Sequence, residues 1–232
     1  MRDTVFRKEH PEIAEFAFDE KVTAVFSDML KRSVPGYGTI ISLIAVLAKK
    51  YAQPDTVIYD LGCSLGAVSL AIANNVENCK IFGFDISKSM IEKAQELVLE
   101  SKKEAQVSLF CGDITKINFQ KSSVVVLNLV LQFINPEERI KLLRKINDSL
   151  VEDGVIILTE KISHDPFEDI YYDFKRANGY NETEIFQKRA ALENVLITDS
   201  EEIHIKRLED AGFRKIKRWF QALNFRSYIA RK

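Results

Sequence analysis

The sequence predicts an α/β fold, a mostly parallel sheet with helices on both faces, and three observations predict it. Five short apolar, β-branched runs show little alternation, as suits strands covered on both sides. Helical patterns separate them, and strand–helix alternation builds sheets wound on both faces. Two alternating runs close the chain, as the strands of a terminal hairpin would.

In order, residues from about 11 to 50 read as helices laid before the first strand. The runs Thr56-Val57-Ile58-Tyr59, Lys80-Ile81-Phe82-Gly83-Phe84, Val107-Ser108-Leu109-Phe110, Ser123-Val124-Val125-Val126-Leu127 and Val155-Ile156-Ile157-Leu158 read as strands. Between them, Leu65 to Ala73 is small and apolar, Ser87 is placed to cap a helix, and Pro136 suits a first helical turn. Residues 166–210 read as helical with polar breaks. Lys215 to Phe220 and Phe225 to Ala230 form the hairpin. Ligands of open α/β sheets lie outside the carboxyl ends of the strands. An N-terminal helical lid over about 1–52 and a helical insert over about 166–210 are therefore expected to cover that edge.

Composition bounds the function. The chain has 232 residues, 46% hydrophobic and 29% charged, which excludes disorder throughout and fits one domain over 1–232. The 33 Lys and Arg nearly cancel the 34 Asp and Glu, leaving −1. A surface basic everywhere, built to grip nucleic acid, is excluded. Cys63, Cys79 and Cys111 are too few and too odd for a disulfide framework. No CxxC pair occurs, and His10, His164 and His204 are scattered, so no metal site is expected. The N-terminus has no apolar signal region, and no apolar stretch approaches the roughly 20 residues that span a bilayer. A soluble cytoplasmic protein without membrane contact is expected.

The sharpest motif is Tyr59-Asp60-Leu61-Gly62-Cys63-Ser64-Leu65-Gly66. An acid closes a strand and a glycine turn opens a helix, letting a ligand approach the backbone. The dinucleotide fingerprint GxGxxG fails, because Ser64 takes its second glycine position. Asp60 would repel a pyrophosphate and attract a cationic amino group. Asp85 closes the second strand, where a carboxylate accepts both hydroxyls of a ribose, or else caps the helix that follows. Asp113, with Ile114, stands at the third strand end, to read an adenine amine and ring or simply to make a turn. Asn128 closes the fourth with a neutral amide. Each is weak alone; four at successive strand ends form a constellation.

This pattern resembles the class I methyltransferase fold, a Rossmann-like architecture that binds S-adenosylmethionine (SAM). The resemblance covers about 55–160 and the hairpin, and implies seven strands with the last antiparallel. Further strings lie outside that core: Arg32-Ser33-Val34-Pro35-Gly36-Tyr37, Leu131-Gln132-Phe133, Phe174-Lys175-Arg176-Ala177-Asn178-Gly179-Tyr180, Gln187-Lys188-Arg189 with Leu192-Glu193-Asn194-Val195, Thr198-Asp199-Ser200, and Trp219-Phe220-Gln221 with Asn224-Phe225. With these the chain resembles the carboxy-S-adenosylmethionine synthase family nearly end to end. The stretch around Ser163 to Asp169 looks shorter than is usual there.

The resemblance implies an enzyme that converts SAM and prephenate into carboxy-SAM and phenylpyruvate, with carbon dioxide from prephenate captured on the sulfonium methyl carbon. It implies a homodimer without metal. Its product would serve a partner enzyme that modifies the wobble uridine of tRNA, so no direct tRNA contact is expected. It places Tyr37, Gly62, Cys63, Ser64, Asp85, Ile86, Asp113, Ile114 and Asn128 around SAM, and Arg189 on the added carboxylate. Ile86 stands where the family often has Asn, so only a backbone contact would persist there.

Physical chemistry favours a cation at the last position. Methyl transfer needs none beside the sulfonium, whereas a carboxylate product does, and guanidinium binds carboxylate bidentately at any working pH. The alternative for Arg189 is a surface i,i+4 pair with Glu193. Competing functions are an ordinary SAM methyltransferase and a non-catalytic SAM-binding protein. Tyr171, Tyr172, Phe174 and Tyr180 suit a dimer seam, a ring pocket or core packing. His204 is expected to be structural. The basic tail from Arg214 is expected to be the solvated face of the hairpin rather than an RNA strip.

Overall fold

The computed structural model describes residues 1–9 and 12–232, so His10 lies outside the described residues. Seven strands form one sheet: β1 (Val57–Leu61), β2 (Lys80–Asp85), β3 (Val107–Cys111), β4 (Ser122–Asn128), β5 (Leu150–Lys161), β6 (Arg214–Ala222) and β7 (Phe225–Arg231). Their order is β3-β2-β1-β4-β5-β7-β6. The first five are parallel, and β7 runs antiparallel between β5 and β6. The strand order reverses between β1 and β4, which opens a crevice at their carboxyl ends.

The unalternating runs have the cause read from them. On β4, Val124 and Val126 enter one core with Ile58, Ile72, Val155 and Ile157, while Val125 and Leu127 enter the other with Tyr59, Leu143, Ile156 and Leu158. All four of these β4 residues are fully buried, so both faces of β4 are covered. Strand β5 starts well before its apolar run, because Leu150 pairs with Ser122 ahead of a register shift.

Eight α-helices are described: α1 (Glu20–Ser33), α2 (Tyr37–Tyr51), α3 (Ala67–Ala73), α4 (Lys88–Glu100), α5 (Pro136–Ser149), α6 (Glu168–Ala177), α7 (Glu182–Leu192) and α8 (Glu201–Asp210). Their starts follow local chemistry. The Ser87 hydroxyl accepts from the Met90 amide at 3.3 Å, Asn135 caps ahead of Pro136, and Asn181 with Glu184 forms a reciprocal capping box.

Two expectations are adjusted. Residues 12–19 are not helical, so the N-terminal helices begin at Glu20. The expected insert over 166–210 divides in two. Leu208 on α8 is buried with Leu142, Leu143 and Ile146 of α5, so α8 belongs to a helix layer of the sheet. Only α6 and α7 reach the carboxyl edge. The N-terminal segment ties these two down. Arg32 donates to the carbonyls of Asn178 (2.7 Å), Gly179 (2.6 Å) and Asp3 (3.1 Å), and the Tyr180 hydroxyl donates to Asp3 at 2.6 Å.

Candidate functional site

A cavity of about 970 Å³ opens at the carboxyl ends of β1 to β4, roofed by α1, α2, α6 and α7. Ligand pockets usually span about 300–1,000 Å³, so this one has room for more than one small ligand. Tyr37, Gly62, Cys63, Ser64, Asp85, Ile86, Asp113, Ile114, Asn128 and Arg189 all line it. The sequence thus brings ten candidate residues from six separated segments to one space.

The floor is the glycine turn. Gly62 sits at φ +71°, and a Cβ there would stand 2.5 Å from Val130 Cγ2. The Gly62 and Cys63 amides donate to Phe84 O at 2.7 and 2.9 Å, locking the turn across β2. Asp85 fastens it from the side: one oxygen accepts the Ser64 amide at 2.8 Å and the other the Ser87 amide at 2.9 Å. Asp85 thus anchors two loops and lines the cavity, but it does not cap the following helix: the N-cap of α4 is Ser87. For Asp113 the turn geometry is present. One oxygen accepts the Thr115 amide (3.0 Å) and hydroxyl (2.7 Å), and the other meets Lys116 at 3.1 Å.

Asp60 is buried, and one oxygen accepts the Ser69 amide at 3.0 Å and its hydroxyl at 2.6 Å. Its other oxygen takes no hydrogen bond among the described residues. Burial pushes its carboxyl up to about 6, with the neighbouring Asp85 charge adding to the rise. Tyr37 stands at the start of α2, beside Asp60; burial and that charge raise its hydroxyl. Asn128 Oδ1 is buried with no partner. An orphaned acceptor in a cavity that Asp60 and Asp85 also line calls for a donor from a ligand. The amino group of SAM is a donor of that kind, and its ribose hydroxyls are donors that suit Asp85.

Four cations line the cavity from β5, α6 and α7, alongside Glu168 and Glu193. They are Lys161 at the end of β5, Lys175 on α6, and Lys188 and Arg189 on α7. Lys175 is buried, and desolvation followed by the charges of Lys188, Lys161 and Arg189 pushes it down to about 7. Burial brings Lys188 down to about 8, and burial also lowers Lys161. Lys188 donates to the Ser33 hydroxyl at 3.1 Å. Arg189 is exposed at the rim, with its guanidinium 5.8 Å from the Tyr172 ring centroid. No ion pair joins it to Glu193 among the described residues.

Behind the site, the buried Glu160 carboxylate accepts the amides of Val130 (3.0 Å), Leu131 (2.8 Å) and Gln132 (3.1 Å). That grip fixes the loop after Asn128, where Leu129 adopts φ +64°. Burial pushes the Glu160 carboxyl up to about 7.

A family model described as a methyltransferase domain matches residues 58–154. The chain is 46% identical over its whole length to carboxy-S-adenosyl-L-methionine synthase of Shewanella piezotolerans, covering 98% of that protein. It is 47% identical, again over its whole length, to the synthase of the same name from Escherichia coli, covering 97% of it. The chain belongs to the carboxy-S-adenosyl-L-methionine synthase family. Among solved structures, magnesium protoporphyrin IX methyltransferase from Synechocystis, determined with bound SAH, superposes with a TM-score of 0.64 at 18% identity. That match covers 88% of this chain and 87% of the other, and shows the shared class I fold.

The family resemblance points to Arg189 but not to Lys161, Lys175 or Lys188. Two of these stand inside the family-like strings Phe174-Lys175-Arg176 and Gln187-Lys188-Arg189, yet no spacing rule links α6, α7 and the end of β5. Other side features resolve simply. Tyr171 packs edge-on to Phe225 at 5.4 Å and lines the cavity, while Tyr180 is buried against Arg32. His204 is buried, and desolvation pushes it down to about 4, which keeps it neutral. In the basic tail Arg218 pairs with Glu201, Arg226 with Asp165 and Glu201, and Arg231 with Asp153. Acids from elsewhere in the chain thus pair with three of the seven Lys and Arg residues from Arg214 onward. Cys63, Cys79 and Cys111 are free, and no metal-holding cluster of His, Cys, Asp or Glu occurs among the described residues.

Proposed function

We propose that the protein is a carboxy-SAM synthase that uses prephenate as carboxyl donor. Full-length identity of 46–47% to proteins of that name supports the activity. The observation that carries the chemistry is the charge around one cavity: Asp60, Asp85 and Asp113 stand at or near the ends of β1 to β3, while Lys161, Lys175, Lys188 and Arg189 stand at the end of β5 and on α6 and α7, with Glu168 and Glu193 among them. SAM is cationic at its sulfonium and amino group and suits the strand-end carboxylates. Prephenate is a dianion and suits the four cations. An ordinary methyl acceptor would not call for a cationic wall.

In this reading Tyr37, Gly62, Cys63, Ser64, Asp85, Ile86, Asp113, Ile114 and Asn128 hold SAM. Ile86 serves through its backbone, because its side chain is 72% exposed. Prephenate loses its ring carboxylate as carbon dioxide and its ring hydroxyl as hydroxide, leaving phenylpyruvate. The hydroxide takes one proton from the sulfonium methyl and departs as water. The methyl carbon forms its new bond to carbon dioxide, and Arg189 holds the resulting carboxylate. The roof of α1, α2, α6 and α7 limits bulk water, which would otherwise protonate the carbon before capture.

The chain is read as a single domain whose N-terminal helices and α6–α7 act as lids. It is read as a cytoplasmic homodimer that hands its product to a tRNA carboxymethyl-transferring enzyme without touching tRNA. No described helix is long and apolar enough to cross a membrane.

The test is to incubate the protein with SAM, with and without prephenate, and weigh the nucleoside products. Mass increased by one carbon dioxide, only with prephenate, is expected; unchanged SAM in both mixtures rejects the reading. Arg189→Ala should cut carboxylated product at least tenfold while SAM affinity stays within about threefold, since a bidentate pair to an ion is worth roughly 1.5–3 kcal/mol. Equal loss of both would remove Arg189 from the carboxylate.

A further inference from the structure

Buried lysines are almost always paired, and Lys175 is not. It is 6% exposed, and no carboxylate lies within 4 Å of its ammonium among the described residues. Its neighbours are the rings of Tyr171, 4.7 Å to the centroid, and Tyr172, 5.6 Å. Lys161 stands 4.9 Å from the same Tyr171 centroid, also without an acid partner within 4 Å. Ring faces attract a cation but replace only part of its lost hydration. Two unpaired ammonium groups around one ring, in a wall that also carries Arg189, leave a place for an anion. Glu168 is the acid whose charge reaches Lys161, and it is not bonded to it. Lys188 is differently engaged, through Ser33 and the nearby Asp3.

The reaction decides which anion. A fixed cation on the carboxylate that leaves as carbon dioxide stabilises a charge that must vanish, which favours the ground state over the transition state. A cation on the carboxylate that stays is neutral to the chemistry and contributes binding only. The deep, unpaired lysines suit the second role.

We infer that Lys175, with Lys161 beside the same Tyr171 ring, holds the carboxylate that the donor keeps through the reaction, the one beside its keto group. This rests on the carboxy-SAM synthase reading and extends it: Lys175 and Lys161 select 2-oxo acids, and the product phenylpyruvate occupies the same pair.

The experiment uses the full chain and Lys175→Met, which keeps the side-chain length without the charge. SAM binding is measured first by calorimetry, then prephenate kinetics, then phenylpyruvate binding in the presence of SAM. Interactions equal in ground and transition states appear in KM alone. The expected result is a prephenate KM raised at least tenfold, kcat within about threefold, phenylpyruvate affinity down at least tenfold, and SAM affinity within about threefold. Unchanged KM and phenylpyruvate affinity, with SAM still bound, overturns the inference. So does a collapse of kcat at unchanged KM. Should Lys175→Met fail to bind SAM, Lys161→Met carries the test: a raised KM supports the assignment and an unchanged one overturns it. Wild-type protein that makes no carboxy-SAM rejects the enzyme reading alone. Phenylpyruvate binding then still decides Lys175: loss in the variant supports it, while equal binding in both proteins, or none to wild type, overturns it.

Discussion

Holding Lys175 ready for an anion costs stability, and the cost has a pH signature. Its amine falls from the ordinary 10.5 to about 7 in the folded chain, chiefly by burial. Between those values the unfolded chain binds the extra proton, so stability rises with pH across the window. Full stability is present above 10.5, is lost progressively as pH falls, and reaches its floor below about 7. Worked at about 1.36 kcal/mol per pH unit, the penalty approaches 5 kcal/mol when both states are protonated. It is about 4 kcal/mol at pH 7, where half the folded amines have shed the proton, and about 2 kcal/mol at pH 9. These are upper bounds, because a buried charge draws in water and relaxes its surroundings. Lys175→Met should therefore be more stable than wild type at pH 7, by as much as about 4 kcal/mol, with the gap narrowing by about 2 kcal/mol at pH 9. Urea unfolding of both proteins at the two pH values, without ligand, reads the difference. The comparison cancels the titrations of Lys161 and Lys188 to first order. A gap that stays constant or widens between pH 7 and pH 9 would refute a buried, unpaired ammonium at this position.

Two further outcomes follow from the floor of the cavity. Gly62→Ala must accept φ +71° and place its Cβ 2.5 Å from Val130, so it should lose about 2–4 kcal/mol and abolish SAM binding; thermal unfolding and calorimetry at wild-type values would contradict the geometry. Asp60, raised to about 6, is charged above that pH and neutral below it, so SAM affinity should fall by up to about tenfold per unit as pH drops below 6, with Asp85 adding in the same direction. Asp60→Asn should bind weakly at pH 7 and flatten most of that slope in titration calorimetry; an unaltered slope would take Asp60 out of the amino-group contact.

Legibility followed the range of the forces. The strands were readable because β4 and its neighbours are buried on both faces, and a run such as Val124 to Leu127 has no other economical use. The strand-end carboxylates and amide were readable because Asp60, Asp85, Asp113 and Asn128 each stand at or within two residues of a strand's carboxyl end, a position that topology alone carries to the crevice. The roof was less so. Asp19 starts α1 later than apolar content suggested, since its carboxylate accepts the Val22 amide at 2.9 Å and so fixes the first turn at Glu20. Helix α8 looked continuous with the lid because its pattern is equally helical, and only packing on α5 distinguishes it. The basic wall was invisible: Lys161, Lys175 and Lys188 meet through three elements, and a lysine in a sequence does not announce whether water surrounds it.

That blindness has a physical side. A sheet end collects residues by backbone geometry, so its chemistry survives in order along the chain. A roof collects them by tertiary docking, here through Arg32 donating to the carbonyls of Asn178, Gly179 and Asp3, and Tyr180 donating to Asp3. These bonds run from α1 and the N-terminal strap to the α6–α7 turn, the same helices that carry Lys175 and Arg189. The cationic wall is therefore placed by the strap as much as by its own helices. Of the four cations, Lys175, Lys188 and Arg189 come from the covering helices α6 and α7, and Lys161 alone comes from the sheet, at the end of β5.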